Sequence, residues 1–364
     1  MKITDVRAIQ IQIPFRTGGA ATELSGKQWS GLDFVLVRVE LENGIVGWGD
    51  AFAYHCREAV HAAVEKMVKP LVLGRDVREI SHLMLDLQRK LHLFGRYGIT
   101  MFALSGLDIA LWDALAKLAK LPICDLLGGR LNKRIPGYAS LFNYSDREIV
   151  AEKTQQCVND GYDYVKLHET GLAEVAAARE TAGNDIGIMV DANCPWTVEE
   201  ARRMALGFIN LDILWLEEPI FPPEDFKSLA RLRRETGVAI ATGENACTAF
   251  QFKQMIDLNA ANYVQPSVTK VGGITEFQKI ATIAETSGVS LMPHAPYFGP
   301  GFLATLHLMA AIPNSGLAEW FYLEREACLY GGAIAPENGC FKIPDGPGLG
   351  IDPDPDVIKD YIVG

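Results

Sequence analysis

At 364 residues the chain exceeds one ordinary domain and suits a barrel carrying a smaller appended domain. Lys plus Arg number 34 against 45 Asp plus Glu, a net of −11, which argues against a nucleic-acid surface and leaves no polybasic membrane patch. Seven cysteines, scattered and odd in number, form no C-x-x-C pair, so they read as reduced thiols of a cytoplasmic protein. Met1 leads directly into polar Lys2-Ile3-Thr4-Asp5, without a signal-peptide core, and no uncharged apolar run reaches bilayer length.

The segments VRAIQIQIPF (from Val6) and FVLVRVELENGIVGWGDAF (from Phe34) alternate as strands do, with Glu42-Asn43-Gly44 as a hairpin turn. Between them the polar stretch Gly18 to Gly26 is expected to be a loop over an active site. Helical spacing follows over roughly 56–70, 77–93 and 100–119. Strands first and helices after predict an α+β domain over 1–130. From about residue 132 the pattern becomes strand, helix and repeat. Candidate strands cover 135–140, 163–168, 187–192, 213–217, 238–243, 262–266, 289–294 and 317–321. Eight parallel strands alternating with helices predict an α/β fold with a (β/α)₈ TIM-type barrel over 131–334. The Pro-, Gly- and Asp-rich end, within 335–364, is expected to pack back on that N-terminal domain.

Three carboxylates end successive strand-like runs: Asp191 in IMVDAN, Glu217 in LWLEEP and Glu244 in IATGEN. The gaps, 217 − 191 = 26 and 244 − 217 = 27, are close to one strand-plus-helix unit. Strand ends so spaced meet at the carboxyl-terminal mouth, where such barrels do chemistry. Three hard oxygen donors there suit Mg²⁺. A lone carboxylate would more often cap a helix; three in register are the specific signal.

In Glu217-Glu218, one side chain should face in and the other out, with Glu217 taken as the ligand and Glu218 as the runner-up or a partner that supports it. Lys166 and His168, two apart on a strand, share the interior face, where burial makes a lysine a usable base. Asn193, two beyond Asp191, is placed to support the metal's surroundings or touch substrate. A lone histidine after an apolar run is usually core, but His294 sits at the seventh strand end and is a candidate acid/base. Glu319 at the eighth strand end is a substrate contact, with Glu324 as the alternative. His55, His61, His82, His92 and His307 read as structural. Gly272-Gly273 reads as a tight turn more than as a phosphate cradle.

These residues are where the chain resembles the enolase superfamily, in its mandelate racemase-like and muconate-lactonising branch. SerGlyLeuAspIleAlaLeuTrpAsp at 105–113 and LeuProIleCysAspLeuLeuGlyGly at 121–129 look like that family's linker, and LEEP, GEN, KVGGITE and the strand-seven histidine appear in family order. The resemblance implies an enolase-like modified barrel with the N-terminal α+β domain as its capping domain, Mg²⁺ on Asp191, Glu217 and Glu244, and a homo-oligomer. It also implies abstraction of the proton α to a carboxylate, giving an enediolate that the metal stabilises, on a small-molecule carboxylate substrate. Lys166 matches the first lysine of the family's K-x-K motif.

Two departures stand out: His168 replaces the second lysine, and Ser267 stands where an Asp commonly partners the strand-seven histidine. Lys270 lies three residues later, off the position of a catalytic lysine. Without an Asp partner His294 is assigned as general acid, with Lys166 as base. Trp29, in the Thr17–Gly31 loop, Ser267 and the Phe94–Tyr97 segment are expected to shape substrate binding. The preferred function is Mg²⁺-dependent dehydration of a hydroxy or sugar acid to a 2-keto acid. A racemase, epimerase or cycloisomerase is the alternative, ahead of a non-catalytic metal- and acid-binding barrel.

Overall fold

The structure is a computed structural model that describes residues 1–19, 22–24 and 26–364; Ala20, Ala21 and Ser25 of the predicted loop lie outside the described residues. Strand β1 (Ile3–Arg16) buries Ile11, Ile13 and Phe15 in alternation with exposed residues, as a half-buried strand must. The short strands β2 (Glu23–Leu24) and β3 (Lys27–Gln28) pair with each other. Strand β4 (Gly31–Leu41) runs antiparallel to β1 and turns into β5 (Val46–Ala51) through Gly44, whose φ of 83° suits glycine. The helix Gly98–Ala119 lies on this sheet so closely that a Cβ at Gly49 would stand 1.9 Å from the carbonyl oxygen of Gly106. That helix is long and apolar enough to cross a membrane, yet 78% of its apolar window is buried inside the fold.

The remaining chain builds a curled parallel sheet from β6 (Arg134–Ser140), β7 (Tyr164–Leu167), β8 (Gly187–Asp191), β9 (Ile213–Glu217), β10 (Ile240–Thr242), β11 (Tyr263–Val264), β12 (Ser290–Leu291) and β13 (Ala318–Phe321). From β7 to β12 each pairs with its predecessor, and β13 pairs with β6. The seam between β12 and β13 closes through Leu291, whose N–H donates to Asn314 and whose carbonyl accepts from Gly316. The eight strands fall where the sequence places them, but the later ones are shorter. Beyond Thr242, Val264 and Leu291 the chain leaves the ladder, so Glu244 and His294 sit on the loops that follow their strands. This α/β barrel with an antiparallel sheet domain is the predicted fold class.

Strand β14 (Glu324–Arg325) returns to β1, pairing Arg16 with Glu324, and so ties the barrel's last loop to the sheet domain. The tail divides its contacts. Its strand β15 (Cys340–Lys342) pairs antiparallel with β6, adding to the barrel, whereas Gly348 bridges Pro122 and Ile362 bridges Ile11 on the sheet domain.

Candidate active site

Four barrel strands bring Lys166, Asp191, Glu217 and Glu319 together below the mouth. The Lys166 ammonium, 1% exposed, lies 3.1 Å from Asp191, 3.0 Å from Glu217 and 2.7 Å from Glu319. Burial by itself would depress its pKa, but the surrounding carboxylates, Glu217 and Glu319 foremost, outweigh that and hold it well above the ordinary lysine range. Burial would likewise raise Asp191, yet Lys166 and His168 keep it well below the usual carboxylate range. Glu217 is pushed up by burial and by the neighbouring charge of Asp191. Its second oxygen accepts from the Trp215 indole at 3.0 Å.

His168 stands just past β7, its Nε2 3.3 Å from Asp191 and its Nδ1 2.5 Å from the carbonyl of Leu141. Burial works against its charge, but Asp191 prevails and raises the pKa. Asn193, in a left-handed conformation with φ 54°, donates to Asp191 twice, from its backbone N–H at 3.0 Å and its amide at 2.9 Å. Glu319 accepts from Ser140 Oγ at 3.0 Å and from the Ala295 N–H at 3.2 Å.

One oxygen each of Asp191, Glu217 and Glu244 lies within 4.8 Å of the others. The set is all hard oxygen, two of the three are buried, and the negative charge exceeds what Lys166 alone neutralises, so these residues fit a small divalent cation. Glu244 contacts His294 Nε2 at 2.8 Å; burial would raise its pKa, but His294 and then Lys270 bring it down to about 2.

A cavity of about 650 Å³ opens above these groups. His168, Asn193, Glu244, Lys270, His294 and Glu319 line its floor and sides. Aromatic rings of Trp29, Phe52, Tyr54, Phe142 and Phe321 form a wall, packed against one another in tilted and edge contacts. The sheet domain supplies Thr22, Glu23, Leu24 and Trp29 to the lining, so both parts of the chain build it. The Trp29 indole N–H is buried and has no partner among the described residues.

Several sequence expectations need correction. Glu218 does not face outward: a left-handed backbone, φ 42°, turns its buried carboxylate to accept from Thr242 Oγ1 at 2.9 Å and the Gly243 N–H at 3.0 Å. Ser267 does not line the cavity; it is fully buried behind Tyr297, whose hydroxyl it contacts. Glu324 is exposed on β14, so Glu319 is the glutamate at the cavity. Of the Phe94–Tyr97 segment, Tyr97 lines an adjoining cavity of about 290 Å³ that shares Pro223 and Asn245 with the larger one.

Gly272-Gly273 serves close approach. A Cβ at Gly273, φ 79°, would meet Asp108 Oδ1 at 2.3 Å, and Asp108 accepts there from the Thr275 N–H at 2.9 Å near the start of the helix Gly273–Thr286. The sequence reading missed Lys270 as a cavity residue; its ammonium lies 4.7 Å from the Phe52 ring centre. It also missed Ser140, Tyr297 and most of the aromatic wall. Phe52 and Tyr54, two apart just beyond β5, carried a period-two signal that was legible.

Comparison with known proteins identifies the family of both parts of the chain. Residues 16–128 match the N-terminal domain of the mandelate racemase / muconate lactonizing enzyme family, and residues 149–357 match its enolase C-terminal domain-like partner. The chain is 34% identical to an arabinonate dehydratase of Saccharolobus solfataricus, covering 91% of each chain. It is 31% identical to a D-galactarolactone cycloisomerase of Agrobacterium fabrum over 99% of both. A racemase from Streptomyces coelicolor, solved with bound magnesium, superposes with a TM-score of 0.88 at 30% identity, covering 99% of this chain and 100% of that one. The chain belongs to the enolase superfamily, in its mandelate racemase and muconate lactonizing enzyme branch.

Proposed function

We propose that this enzyme removes the α-proton of a hydroxy or sugar acid and expels a β-hydroxyl, giving a 2-keto acid. The observation that carries the reading is one buried lysine set among three carboxylates directly below a cavity that also presents His294. Mg²⁺ held by Asp191, Glu217 and Glu244 would supply the positive charge that makes a proton α to a carboxylate removable. Lys166 takes that proton. It can do so only as the neutral amine, so it is a base when its carboxylate neighbours are neutralised from elsewhere.

Asn193 holds Asp191 in place, and Ser140 and the Ala295 N–H hold Glu319. His294, on the loop after β12, donates a proton to the departing hydroxide, and His168 orients Asp191. Trp29 and Lys270 contact the substrate's far end, and the aromatic wall excludes water from the reacting carbon.

The test is incubation in D₂O with a panel of hydroxy and sugar acids, with and without EDTA. The expected result is metal-dependent α-deuteration and 2-keto product. His294→Asn should abolish elimination while exchange at the α-carbon survives. Loss of both counts against the division of roles, and epimer or ring-shifted product without keto acid favours the isomerase reading carried by the cycloisomerase relative. No exchange with any acid favours a binding barrel. The seven free thiols fit a reducing, cytoplasmic setting. The assembly in this reading is a homo-oligomer, which light scattering on the eluting protein checks.

A further inference from the structure

His294 has no carboxylate on Nδ1 among the described residues, position 267 being serine, yet its ring is not loose. Its Nδ1 lies 3.3 Å from the Tyr297 hydroxyl, and the two rings meet edge to face at 5.9 Å and 81°. Tyr297 is 4% exposed. Its hydroxyl contacts Ser267 Oγ, which lies 3.4 Å from Thr269 Oγ1, so two further buried hydroxyls back it. The ring is clamped by Phe52 at 6.4 Å and Tyr54 at 6.3 Å. The Tyr54 hydroxyl in turn donates to the carbonyl of Pro296 at 2.6 Å, pinning the loop between His294 and Tyr297. On the other side of the imidazole, Nε2 points to Glu244 and the cavity.

We infer that Tyr297, backed by Ser267, is the positioning residue for His294, a neutral hydroxyl standing on Nδ1 in place of a carboxylate so that Nε2 is the nitrogen that moves a proton. The inference rests on the dehydration reading above. In that step the Cα–H bond breaks as its proton goes to Lys166, and its electron pair becomes the new Cα=Cβ bond. The Cβ–O bond breaks, and the imidazolium Nε2–H is transferred to the departing hydroxide, giving water. The ring is left neutral with its proton on Nδ1. A tyrosine hydroxyl accepts from that Nδ1–H before and after the transfer while donating its own proton toward Ser267, so the hydrogen bond needs no rearrangement. A hydroxyl on Nδ1 adds no second full negative charge to the one that Glu244 already sets 2.8 Å from Nε2, which suits a group that must give its proton up.

Tyr297→Phe removes one oxygen and keeps the ring packing. With the Mg²⁺-loaded enzyme and an acid that the wild type dehydrates, kcat for elimination should fall about 10²-fold while KM and the rate of α-deuteration stay within about threefold. The solvent isotope effect on elimination should grow as proton donation becomes limiting. Ser267→Ala should give the same pattern with a smaller loss. Elimination at the wild-type rate in Tyr297→Phe overturns the proposal, as does an equal fall in exchange and elimination, which marks a merely structural role. Absence of elimination by the wild-type enzyme itself sinks the dehydration reading and this inference with it, so the two failures are told apart.

Discussion

The barrel mouth and the seam beneath the sheet domain both bury carboxylates, and they satisfy them in opposite ways. At the seam the donors match the acids. Asp113 accepts from the Trp48 N–H, the Leu349 N–H and Lys117, so one side chain ties sheet, helix and tail. Asp108 accepts from the backbone and hydroxyl of Thr275. At the mouth three carboxylates crowd a single ammonium, with Glu244 close by. A buried charge costs several kcal/mol unless it is paired and hydrogen-bonded, so a fold tolerates such an excess only where something else supplies the balance. Matched acids hold the fold together; unmatched ones form a group that could hold a cation.

The largest effect expected from breaking this contrast is at Lys166. Lys166→Met should cost about 10²–10⁴-fold or more in α-proton exchange, followed by NMR in D₂O. It should also lower the melting temperature in EDTA, because Asp191, Glu217 and Glu319 lose their counter-charge, and Mg²⁺ should restore it. A melting curve indifferent to Mg²⁺ would deny that Asp191, Glu217 and Glu244 hold the ion. At the seam, Asp113→Ala leaves two buried N–H groups unpaired and should cost about 2–4 kcal/mol of stability, read by denaturant unfolding, with kcat unchanged.

A finer test returns to the mouth. Asn193→Gly keeps the left-handed backbone and deletes only the amide that holds Asp191, so Mg²⁺ affinity measured by calorimetry should weaken about 10–100-fold.

The seam also has a pH signature. Burial pushes the Asp108 carboxyl from its ordinary 3.8 up to about 7. The folded state therefore binds this proton more tightly than the unfolded chain, and the contribution falls as pH rises from about 4 to about 7, then levels off. Asp108→Asn does not titrate, so its stability relative to wild type should improve across that window. A constant difference would mean that Asp108 keeps its ordinary pKa. The smallest change is Ser140→Ala, which removes one hydrogen bond from Glu319 and should slow turnover about fivefold.

Much of this was readable along the chain because barrels repeat. Each strand carries an apolar run, and a carboxylate that ends such a run lies at the mouth whichever strand it belongs to, so Asp191, Glu217, Glu244, Lys166 and His294 were legible from spacing alone. Pairs two apart on a strand, such as Lys166 with His168, point the same way by geometry. Glu218 defeated this rule because its left-handed backbone breaks the alternation that placed it outside. Gly273 was readable as a turn, but its reason, the approach of Asp108 from 165 positions earlier in the chain (273 − 108 = 165), was not.

Local pattern alone determined the (β/α)₈ architecture, the sheet domain before it and the convergence of the charged residues, since periodicity and strand-end position are properties of neighbours in sequence. Tertiary structure alone decided which groups those charges meet: Lys166 between three acids, Tyr297 and Ser267 behind His294, and the aromatic wall drawn from both parts of the chain. Those contacts join residues tens to hundreds of positions apart, and burial and hydrogen bonding act through space, so no local signal records them.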